Sequence, residues 1–188
     1  MTMATGFGAE LDALTLARAR RGDGRAFESI YRLYARAAYT LALRLTGRPD
    51  VADDVVQEAF MKAMEKLGGF RGDAPFGAWL KRLVANCSID RLRADRRWVD
   101  GDAETLLLPA ESGAEAQIEA LGLLARMTPH ARAALVLHEI EGYNHAELAQ
   151  LFGKSESYSK SLLSRAIGRL RGMLDAEPAA PLSQDTVR

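Results

Sequence analysis

The stretch that decides the fold of this chain is DVADDVVQEAFMKAMEKL, residues 50–67. Its apolar residues recur at the spacing of one helix face, which predicts an amphipathic helix packed on a core. This inner stripe comprises Ala52, Val56, Phe60, Ala63 and Leu67. Pro49 and Asp50 suit the first turn, where an aspartate can cap free N–H groups, and Gly68-Gly69 ends the helix.

The opposite face of this helix is acidic, with one large apolar side chain at its centre. Its members are Asp50, Asp54, Gln57, Glu58, Met61 and Glu65, and Asp53 adjoins them. Two interpretations are open. Acidic residues in a first turn complement the helix dipole, which accounts for Asp53 and Asp54 without any partner. Alternatively, a methionine ringed by carboxylates is a docking surface for a basic partner.

Composition limits the class of protein. With 188 residues, 48% of them hydrophobic, the chain can bury one or two small cores. Its 25 basic and 25 acidic residues cancel, which argues against a protein held to nucleic acid by bulk charge alone. Its single cysteine, Cys87, excludes an internal disulfide framework. Because no apolar run could span a bilayer and the first residues lack a signal-peptide layout, we expect a cytoplasmic protein without membrane insertion.

Helical periodicity dominates the chain, so we expect an all-α fold of two small helical domains joined by a flexible acidic linker. The first domain is predicted over residues 9–97, with helices over about 9–21, 25–46 and 76–97 beside the central one. The segment 98–112 holds acidic residues, glycine and proline but no basic residue, and is predicted to be the linker. A second domain is predicted over 113–175, with a disordered tail over 176–188.

The last two helices of the second domain have the proportions of a helix-turn-helix. Asn144 and Glu147 form a capping box, Gly153 lies where the turn requires a positive φ, and Ser155 caps the second helix. The outer face of that helix carries Ser157, Lys160, Ser161, Ser164, Arg165, Gly168 and Arg171. Its basic side chains can reach phosphates or a guanine edge. A plain three-helix bundle with a solvated basic face is the other interpretation, although the turn spacing favours DNA.

The helix predicted over 76–97 is a second candidate for DNA contact. Its inner stripe is Phe76, Leu80, Leu83 and Cys87, and its cationic face is Arg82, Asn86, Arg93 and Arg97, with Arg91 and Arg96 beside them. Such a face suits phosphate tracking with limited base reading, and Asp90 lies within reach of Arg93. The preceding segment, residues 70–75, can receive an unstacked base, because Phe70 offers a stacking surface. Trp79 is expected in the core.

Taken in order, these motifs resemble the two conserved domains of the extracytoplasmic-function (group 4) sigma factors of the sigma-70 family. The resemblance to the first domain rests on Gly22-Asp23, Ala26-Phe27, residues 52–60 (ADDVVQEAF), residues 70–72 (FRG), Phe76, Trp79-Leu80, Asn86 and residues 89–93 (IDRLR). The resemblance to the second rests on residues 141–143 (EGY), residues 147–149 (ELA), Gly153 and residues 160–166 (KSLLSRA). Each motif alone is weak, but the ordered set is specific.

The resemblance implies a factor that binds the clamp helices and flap of bacterial RNA polymerase core and directs it to promoter DNA. It implies polymerase binding for Asp50, Asp53, Asp54, Gln57, Glu58 and Met61. It implies contact with the −10 element for Phe70, Arg71, Phe76, Arg82, Asn86, Arg93, Arg96 and Arg97. It implies contact with the −35 element for Ser157, Tyr158, Lys160, Ser161, Ser164 and Arg165. An anti-sigma factor is a further implied partner.

The chain departs from the family pattern at three positions of the helix-turn-helix. Lys154 and Ser159 stand where the family has aliphatic residues, and Leu162 stands where it has a basic one. Tyr158 and Leu162 are one turn apart and are placed to pack on each other. These departures leave the promoter preference open.

Two other classes of function compete with a sigma factor. An autonomous helix-turn-helix regulator that binds an operator as a dimer would leave the acidic face and the second basic helix without a purpose. An enzyme is disfavoured because His130, His138 and His145 are scattered along the chain, and no pair shows metal-ligand spacing with Cys87. We therefore expect no catalytic residues, no metal and no cofactor.

Overall fold

A computed structural model of the chain describes residues 6–94 and 122–176, and every regular element within these ranges is a helix. The all-α prediction is confirmed. The linker predicted over 98–112 lies outside the described residues, as do Arg96, Arg97 and residues 177–188 of the predicted tail.

The helices fall into two groups along the chain. The first contains α1 (Ala13–Arg20), α2 (Gly24–Thr46), α3 (Pro49–Lys66) and α4 (Phe76–Ala94), with single 3-10 turns at Gly6–Gly8 and Leu67–Gly69. The second contains α5 (Pro129–Leu135), a π-helical turn at Val136–Ile140, α6 (His145–Phe152) and α7 (Glu156–Ala176). No pattern in the sequence predicted the π-helical turn.

The ends of the helices in the first group follow capping chemistry only in part. Asp12 is the N-cap of α1, since its carboxylate accepts a hydrogen bond from the Thr15 amide at 2.8 Å. The helix therefore begins at Ala13, four residues later than predicted. The prediction that Asp50 caps α3 is wrong. The cap position is Arg48, without a side-chain cap, and the Asp50 carboxylate instead pairs with the Arg48 guanidinium. That hydrogen bond to Arg48 is the main reason why the pKa of Asp50 is lowered.

The core of the first group lies between α2, α3 and α4. All five residues of the predicted inner stripe of α3 are buried, and Val55 and Ala59 are buried beside them. The inner stripe predicted for α4 is buried as well, including Cys87. The period of apolar residues was therefore sufficient to predict which faces of these helices pack inward.

The helix-turn-helix of the second group has the local structure that the sequence predicts. The Asn144 side chain accepts from the Glu147 amide at 2.9 Å, and the Glu147 carboxylate accepts from the Asn144 amide at 3.0 Å. Gly153 adopts a left-handed conformation with φ of 62° between α6 and α7. The Ser155 hydroxyl accepts a hydrogen bond from the Tyr158 amide at 3.2 Å at the start of α7.

The two groups pack against each other. Helix α5 lies on α2 and helix α6 lies on α4, so that buried residues of both groups form one hydrophobic cluster. At the contact with α2, the Arg132 side chain is 1% exposed. Its Nε donates to the Leu45 carbonyl oxygen at 3.1 Å and its Nη2 donates to the Thr46 carbonyl oxygen at 2.6 Å. A side chain of the second group thus binds the last carbonyls of a helix in the first.

We expect Gly77→Ala to destabilise the protein by about 1–3 kcal/mol, the usual cost of overpacking. A Cβ at Gly77 would stand 1.9 Å from the Phe7 carbonyl oxygen and 3.1 Å from the Tyr34 ring, so the N-terminal turn would have to move. Urea denaturation followed by circular dichroism measures the change. Gly172→Ala in α7 is the matched control: a Cβ there meets nothing within 4 Å, and alanine should raise stability by up to about 1 kcal/mol. Equal effects of the two substitutions would contradict the packing of the N-terminal turn on α4.

Candidate protein and nucleic-acid interfaces

The outward face of α3 combines acidic side chains with exposed methionines. Asp53, Asp54 and Gln57 are exposed, and the Met61 side chain among them is 61% exposed. Met64 is 58% exposed, and the sequence analysis missed it although it lies one helical turn after Met61. Two large apolar side chains left in water beside carboxylates are typical of a binding surface.

Arg91 of α4 ties the acidic face of α3 to the neighbouring helix. Its guanidinium lies 3.2 Å from the Glu58 carboxylate and 3.9 Å from that of Asp54. The half-buried Glu58 also pairs with Lys62 at 2.8 Å, and the hydrogen bond from Lys62, followed by that from Arg91, lowers the pKa of Glu58. Glu58 is therefore ionised at neutral pH. The sequence analysis placed Arg91 beside the DNA-contacting face, whereas the structure pairs it with the carboxylates of α3.

Phe70 and Phe76 are buried, contrary to the expectation that Phe70 presents a stacking surface. Phe70 is 7% exposed and its ring centroid lies 5.1 Å from that of Trp79 and 5.6 Å from that of Phe76. The Arg20 guanidinium stands 5.6 Å from the centroid of the same ring. Tyr34 also contacts Phe76. The four aromatic side chains therefore pack together as one cluster. In this conformation a base cannot stack on Phe70.

The cationic face of α4 is turned towards α6. Arg82, Asn86 and Arg93 lie along it as predicted, and Arg93 has the predicted Asp90 within 3.8 Å. The Arg82 guanidinium also hydrogen-bonds the Glu147 carboxylate, and Arg93 Nη2 donates to the Leu151 carbonyl oxygen. Arg71, in the loop before α4, is exposed and pairs with Asp73 at 3.0 Å. No pattern in the sequence predicted that α4 and the helix-turn-helix contact each other.

A cleft of about 260 Å³ remains where α4 faces α6. It is lined by Arg82, Asn86, Tyr143, Glu147, Gln150 and Leu151. The Tyr143 side chain is buried, and its hydroxyl has no hydrogen-bond partner within residues 6–94 and 122–176. Desolvation raises the pKa of this hydroxyl. Most side chains that line this cleft between α4 and α6 are thus polar, and one buried hydroxyl there is left without a hydrogen bond.

The outer face of α7 is exposed to solvent apart from Tyr158. Ser157, Lys160, Ser161, Ser164 and Arg165 are all exposed there. Arg165 Nε donates to the Ser161 carbonyl oxygen at 3.3 Å, which directs its guanidinium along the helix surface. Tyr158 is half-buried, and the Lys154 ammonium lies 5.8 Å from its ring centroid. The face therefore presents hydroxyls and two basic side chains on a helix that starts at the turn.

Two of the departures from the family pattern have a structural reason. Ser159 is fully buried, and its hydroxyl lies 3.1 Å from His145 Nδ1, so the two polar groups satisfy each other. Leu162 is 7% exposed and belongs to the core of α7 rather than to its outer face. The ring of His145 stacks on that of His138 with centroids 4.8 Å apart, so these two histidines are not scattered in space.

Within residues 6–94 and 122–176, no three histidine, cysteine or acidic side chains are grouped so as to hold a metal ion. Over the same residues, none of the helices combines the length and the apolarity that crossing a membrane requires.

Comparison with known proteins gives matches across both helical groups. The family model of sigma-70 region 2 matches residues 30–98 and that of sigma-70 region 4 matches residues 117–170. The chain is 36% identical to the ECF RNA polymerase sigma factor SigM of Mycobacterium tuberculosis H37Rv, over 91% of this chain and 90% of the relative. It is 30% identical to the RNA polymerase sigma-H factor of Pseudomonas aeruginosa PAO1, over 84% of this chain and 90% of the relative.

Two solved structures share the fold. One is CnrH in complex with the cytosolic domain of CnrY, with 27% identity and a TM-score of 0.54, covering 87% of this chain and 97% of that one. The other is the sigma factor RpoE in complex with the anti-sigma factor NepR from Bartonella quintana, with 27% identity and a TM-score of 0.58, covering 80% of this chain and 98% of that one.

The region 2 match covers most of α2 and all of α3 and α4, which an autonomous helix-turn-helix regulator would not need. The likeness to SigM extends over 91% of this chain and 90% of that relative, so it spans both matched regions. The chain therefore belongs to the extracytoplasmic-function group of the sigma-70 family, and it is an RNA polymerase sigma factor that directs promoter-specific initiation of transcription.

Proposed function

We propose that this sigma factor binds core polymerase through the acidic face of α3, opens the −10 element with the polar face of α4, and reads the −35 element with the outer face of α7. The observation that carries the proposal is the exposure of Met61 among Asp53, Asp54 and Gln57. The partner surfaces that we propose on the polymerase are the clamp helices for the first domain and the flap for the second.

The physical case for the α3 face rests on how binding energy is distributed in protein interfaces. A large apolar side chain surrounded by polar groups becomes a hot spot when a partner desolvates it. The surrounding carboxylates select a basic partner and speed the encounter. Ion pairs with Lys62 and Arg91 already hold the Glu58 side chain in place. This part of the face therefore loses little conformational entropy when a partner binds. Asp50, the first residue of this face, lies at its edge, beside Arg48.

The case for α7 rests on the geometry of helix-turn-helix proteins. In these proteins the N-terminal residues of the second helix contact the base edges. Ser157, Lys160 and Ser161 lie in the first two turns of α7, and Ser164 and Arg165 in the next. Short hydroxyl side chains allow the backbone to approach DNA closely, while Lys160 and Arg165 reach further, to phosphates or a guanine.

For α4 we propose the −10 role for Arg82, Asn86 and Arg93, together with Arg71 in the preceding loop and Arg96 and Arg97 beyond the described helix. Guanidinium groups bind phosphates, and the Asn86 amide can read a base edge. The burial of Phe70 and Phe76 supports a structural task for these two residues, with any stacking on a base dependent on a local opening of the aromatic cluster.

We further propose the domain boundaries 9–97 and 113–175, joined by the linker 98–112. Two binding modules on one linker gain from effective concentration once the first has bound. The protein works by binding, and the polymerase supplies the catalysis, so we propose no catalytic residue, metal or cofactor for it. Because a solved relative is a sigma factor in complex with an anti-sigma factor, we propose that such a factor also binds this chain.

The double substitution Asp54→Lys and Gln57→Ala should weaken binding to core RNA polymerase by about 2 kcal/mol or more, because it puts a like charge against a basic partner and removes an adjacent contact. Titration of labelled protein with purified core polymerase measures the change. Glu28→Lys, which reverses an exposed carboxylate on α2, is the matched control and should bind like the parent chain. Circular dichroism checks that both variants are folded. An unchanged affinity of the double variant would remove this face from the interface.

Arg165→Ala should weaken binding to −35 duplex by about 1–3 kcal/mol if Arg165 reads a base edge, with reduced discrimination at one position. If it only holds a phosphate, the loss should be similar for all sequences and the salt dependence should become shallower. Holoenzyme binding to a panel of −35 variants at several salt concentrations separates the two cases. Arg126→Ala, at an exposed position before α5 and outside the helix-turn-helix, is the control. The absence of any effect of Arg165→Ala would exclude it from the DNA contact.

A further inference from the structure

An arginine that the sequence analysis did not single out stands over the ring of Phe70. We propose that Arg20, the last residue of α1, is a stacking platform for one unstacked base of the promoter strand. The Phe70 ring supports the guanidinium on one side, and the base packs on the other. The inference rests on the −10 role proposed above for α4 and the loop before it, and it adds a residue of another helix to that surface.

The guanidinium of Arg20 occupies the place from which a base would otherwise reach Phe70. Its Cζ atom lies 5.6 Å from the centroid of the Phe70 ring, which is within the range of a cation–π contact. Phe70 is buried, because Phe76 and Trp79 pack on its ring and Arg20 covers it. Arg20 itself is exposed. At Phe70, the group that solvent meets is thus a guanidinium rather than a ring.

Backbone and side-chain contacts hold the support under Arg20 in place. Helix α1 packs against the single turn Leu67–Gly69, so its last residue lies beside the loop that follows this turn. The Phe70 amide donates to the Leu67 carbonyl oxygen at 3.2 Å. The Phe70 ring meets that of Phe76 edge-on, with an angle of 84° between their planes. The guanidinium therefore rests on a surface that is already ordered before a strand binds.

Arg20 has no carboxylate partner in the part of the chain that the structure describes. Its neighbour Arg18, by contrast, is neutralised by the Asp23 carboxylate at 2.8 Å. A cation in the last turn of α1 also suits the helix dipole, which accounts for a basic residue at this position. It does not account for a guanidinium over an aromatic ring, because a lysine would complement the dipole equally well. The position of Arg20 therefore indicates a task that needs the planar group.

A guanidinium can pack between two flat groups. It is planar and weakly hydrated, so it lies on aromatic faces, whereas an ammonium is strongly hydrated. Unstacked bases of single strands pack on aromatic side chains or on arginine planes. The N–H groups at the edge of the guanidinium remain able to donate to a phosphate of the same strand. With Phe70 on one side, Arg20 has its other side available for a base.

The platform adjoins the polar face of α4. Trp79, whose ring centroid lies 5.1 Å from that of Phe70, stands three residues before Arg82 on the same helix, so the two lie on one side of α4. The loop residues 71–75 are exposed, and a Cβ at Gly69 or Gly72 would meet nothing within 4 Å. Consecutive contacts thus connect Arg82 to Arg20, and a strand bound at the first can continue to the second over an open surface.

Stacking on Arg20 would assist strand separation without selecting a sequence. Every base has a π-face, so a stacking platform holds a base without reading its edge. Stacking on Phe70 itself would require the aromatic cluster to open, whereas Arg20 is exposed as the structure stands. In duplex DNA the bases are stacked on each other and cannot pack on the guanidinium. Arg20 would therefore contribute to the opening of a promoter rather than to the choice of one.

The test compares two strands that differ only in their bases. Holoenzyme assembled from the full chain and core polymerase is titrated with a labelled oligothymidine of about twelve nucleotides, a length within the site size of single-strand-binding modules. The second strand has the same length and consists of stable abasic residues, and core polymerase alone is the blank. Arg20→Lys retains the charge and removes the plane. It should weaken binding of oligothymidine about fivefold or more and leave binding of the abasic strand unchanged.

Two further variants separate stacking from phosphate binding. Arg21→Lys makes the same change at the next residue, which is also exposed, and should alter neither affinity. Arg20→Ala should weaken oligothymidine binding at least as much as Arg20→Lys does. If Arg20 only holds a phosphate, Arg20→Lys will bind both strands like the parent, and Arg20→Ala will weaken both equally with a shallower salt dependence. That result would overturn the platform, and so would an equal loss on both strands in Arg20→Lys. Circular dichroism checks that the variants are folded.

Failure of the platform is distinct from failure of the proposed −10 role. Arg82→Ala should weaken binding of both strands, because the −10 role assigns a phosphate contact to this side chain. If Arg82→Ala has this effect while Arg20→Lys has none, the −10 role stands and the platform on Arg20 is overturned. If neither variant changes the binding of either strand, both the role and the platform are overturned.

Discussion

The arrangement of this molecule depends on the seating of one guanidinium against the end of one helix. Arg132 is almost fully buried, yet its hydrogen-bond acceptors among the described residues are the backbone carbonyls of Leu45 and Thr46. Removing a charge from water without a partner of opposite sign is costly, so the contact persists only while the two carbonyls and the surrounding apolar side chains are in place. The same contact fixes where α5 lies, and through α6 it decides which side chains of α4 face solvent.

A second set of charges connects α3 and α4 of the first helical group. Arg91 extends from α4 to Asp54 and Glu58, in the middle of the acidic face of α3. Any partner that engages these carboxylates competes with Arg91 or reorients it, and Arg91 lies two residues from Arg93 on the same helix. Exposed ion pairs contribute little to the free energy of unfolding. The ion pairs of Arg91 therefore matter because they join α3 to α4, and not because of the stability that they add. They connect the proposed polymerase surface to the helix that we propose for the −10 strand.

The buried helix faces and the helix-turn-helix could be predicted from the sequence, whereas contacts between residues far apart in the chain could not. Periodicity identified the buried stripes of α3 and α4, and local capping chemistry identified the helix-turn-helix, because both are set by neighbours in the chain. Asp50 was wrongly assigned as a cap because Arg48, two residues away, offers its carboxylate a stronger partner. Phe70 was expected at the surface, but contacts with Phe76 and Trp79 bury it. The contact of Arg132 with α2 joins residues 86 and 87 positions apart, and no local pattern encodes it.

The departures from the family pattern in α7 are explained by the same reasoning. A buried serine is unfavourable in a core unless its hydroxyl is paired, and Ser159 is paired with His145 of α6. An aliphatic residue at that position would leave the histidine nitrogen without its partner, so the two polar residues depend on each other. Leu162 is in the core and is therefore unavailable to DNA. What remains on the outer face is a row of hydroxyls with Lys160 and Arg165. We therefore propose that discrimination between −35 sequences comes from these two side chains and from the close approach that the serines allow.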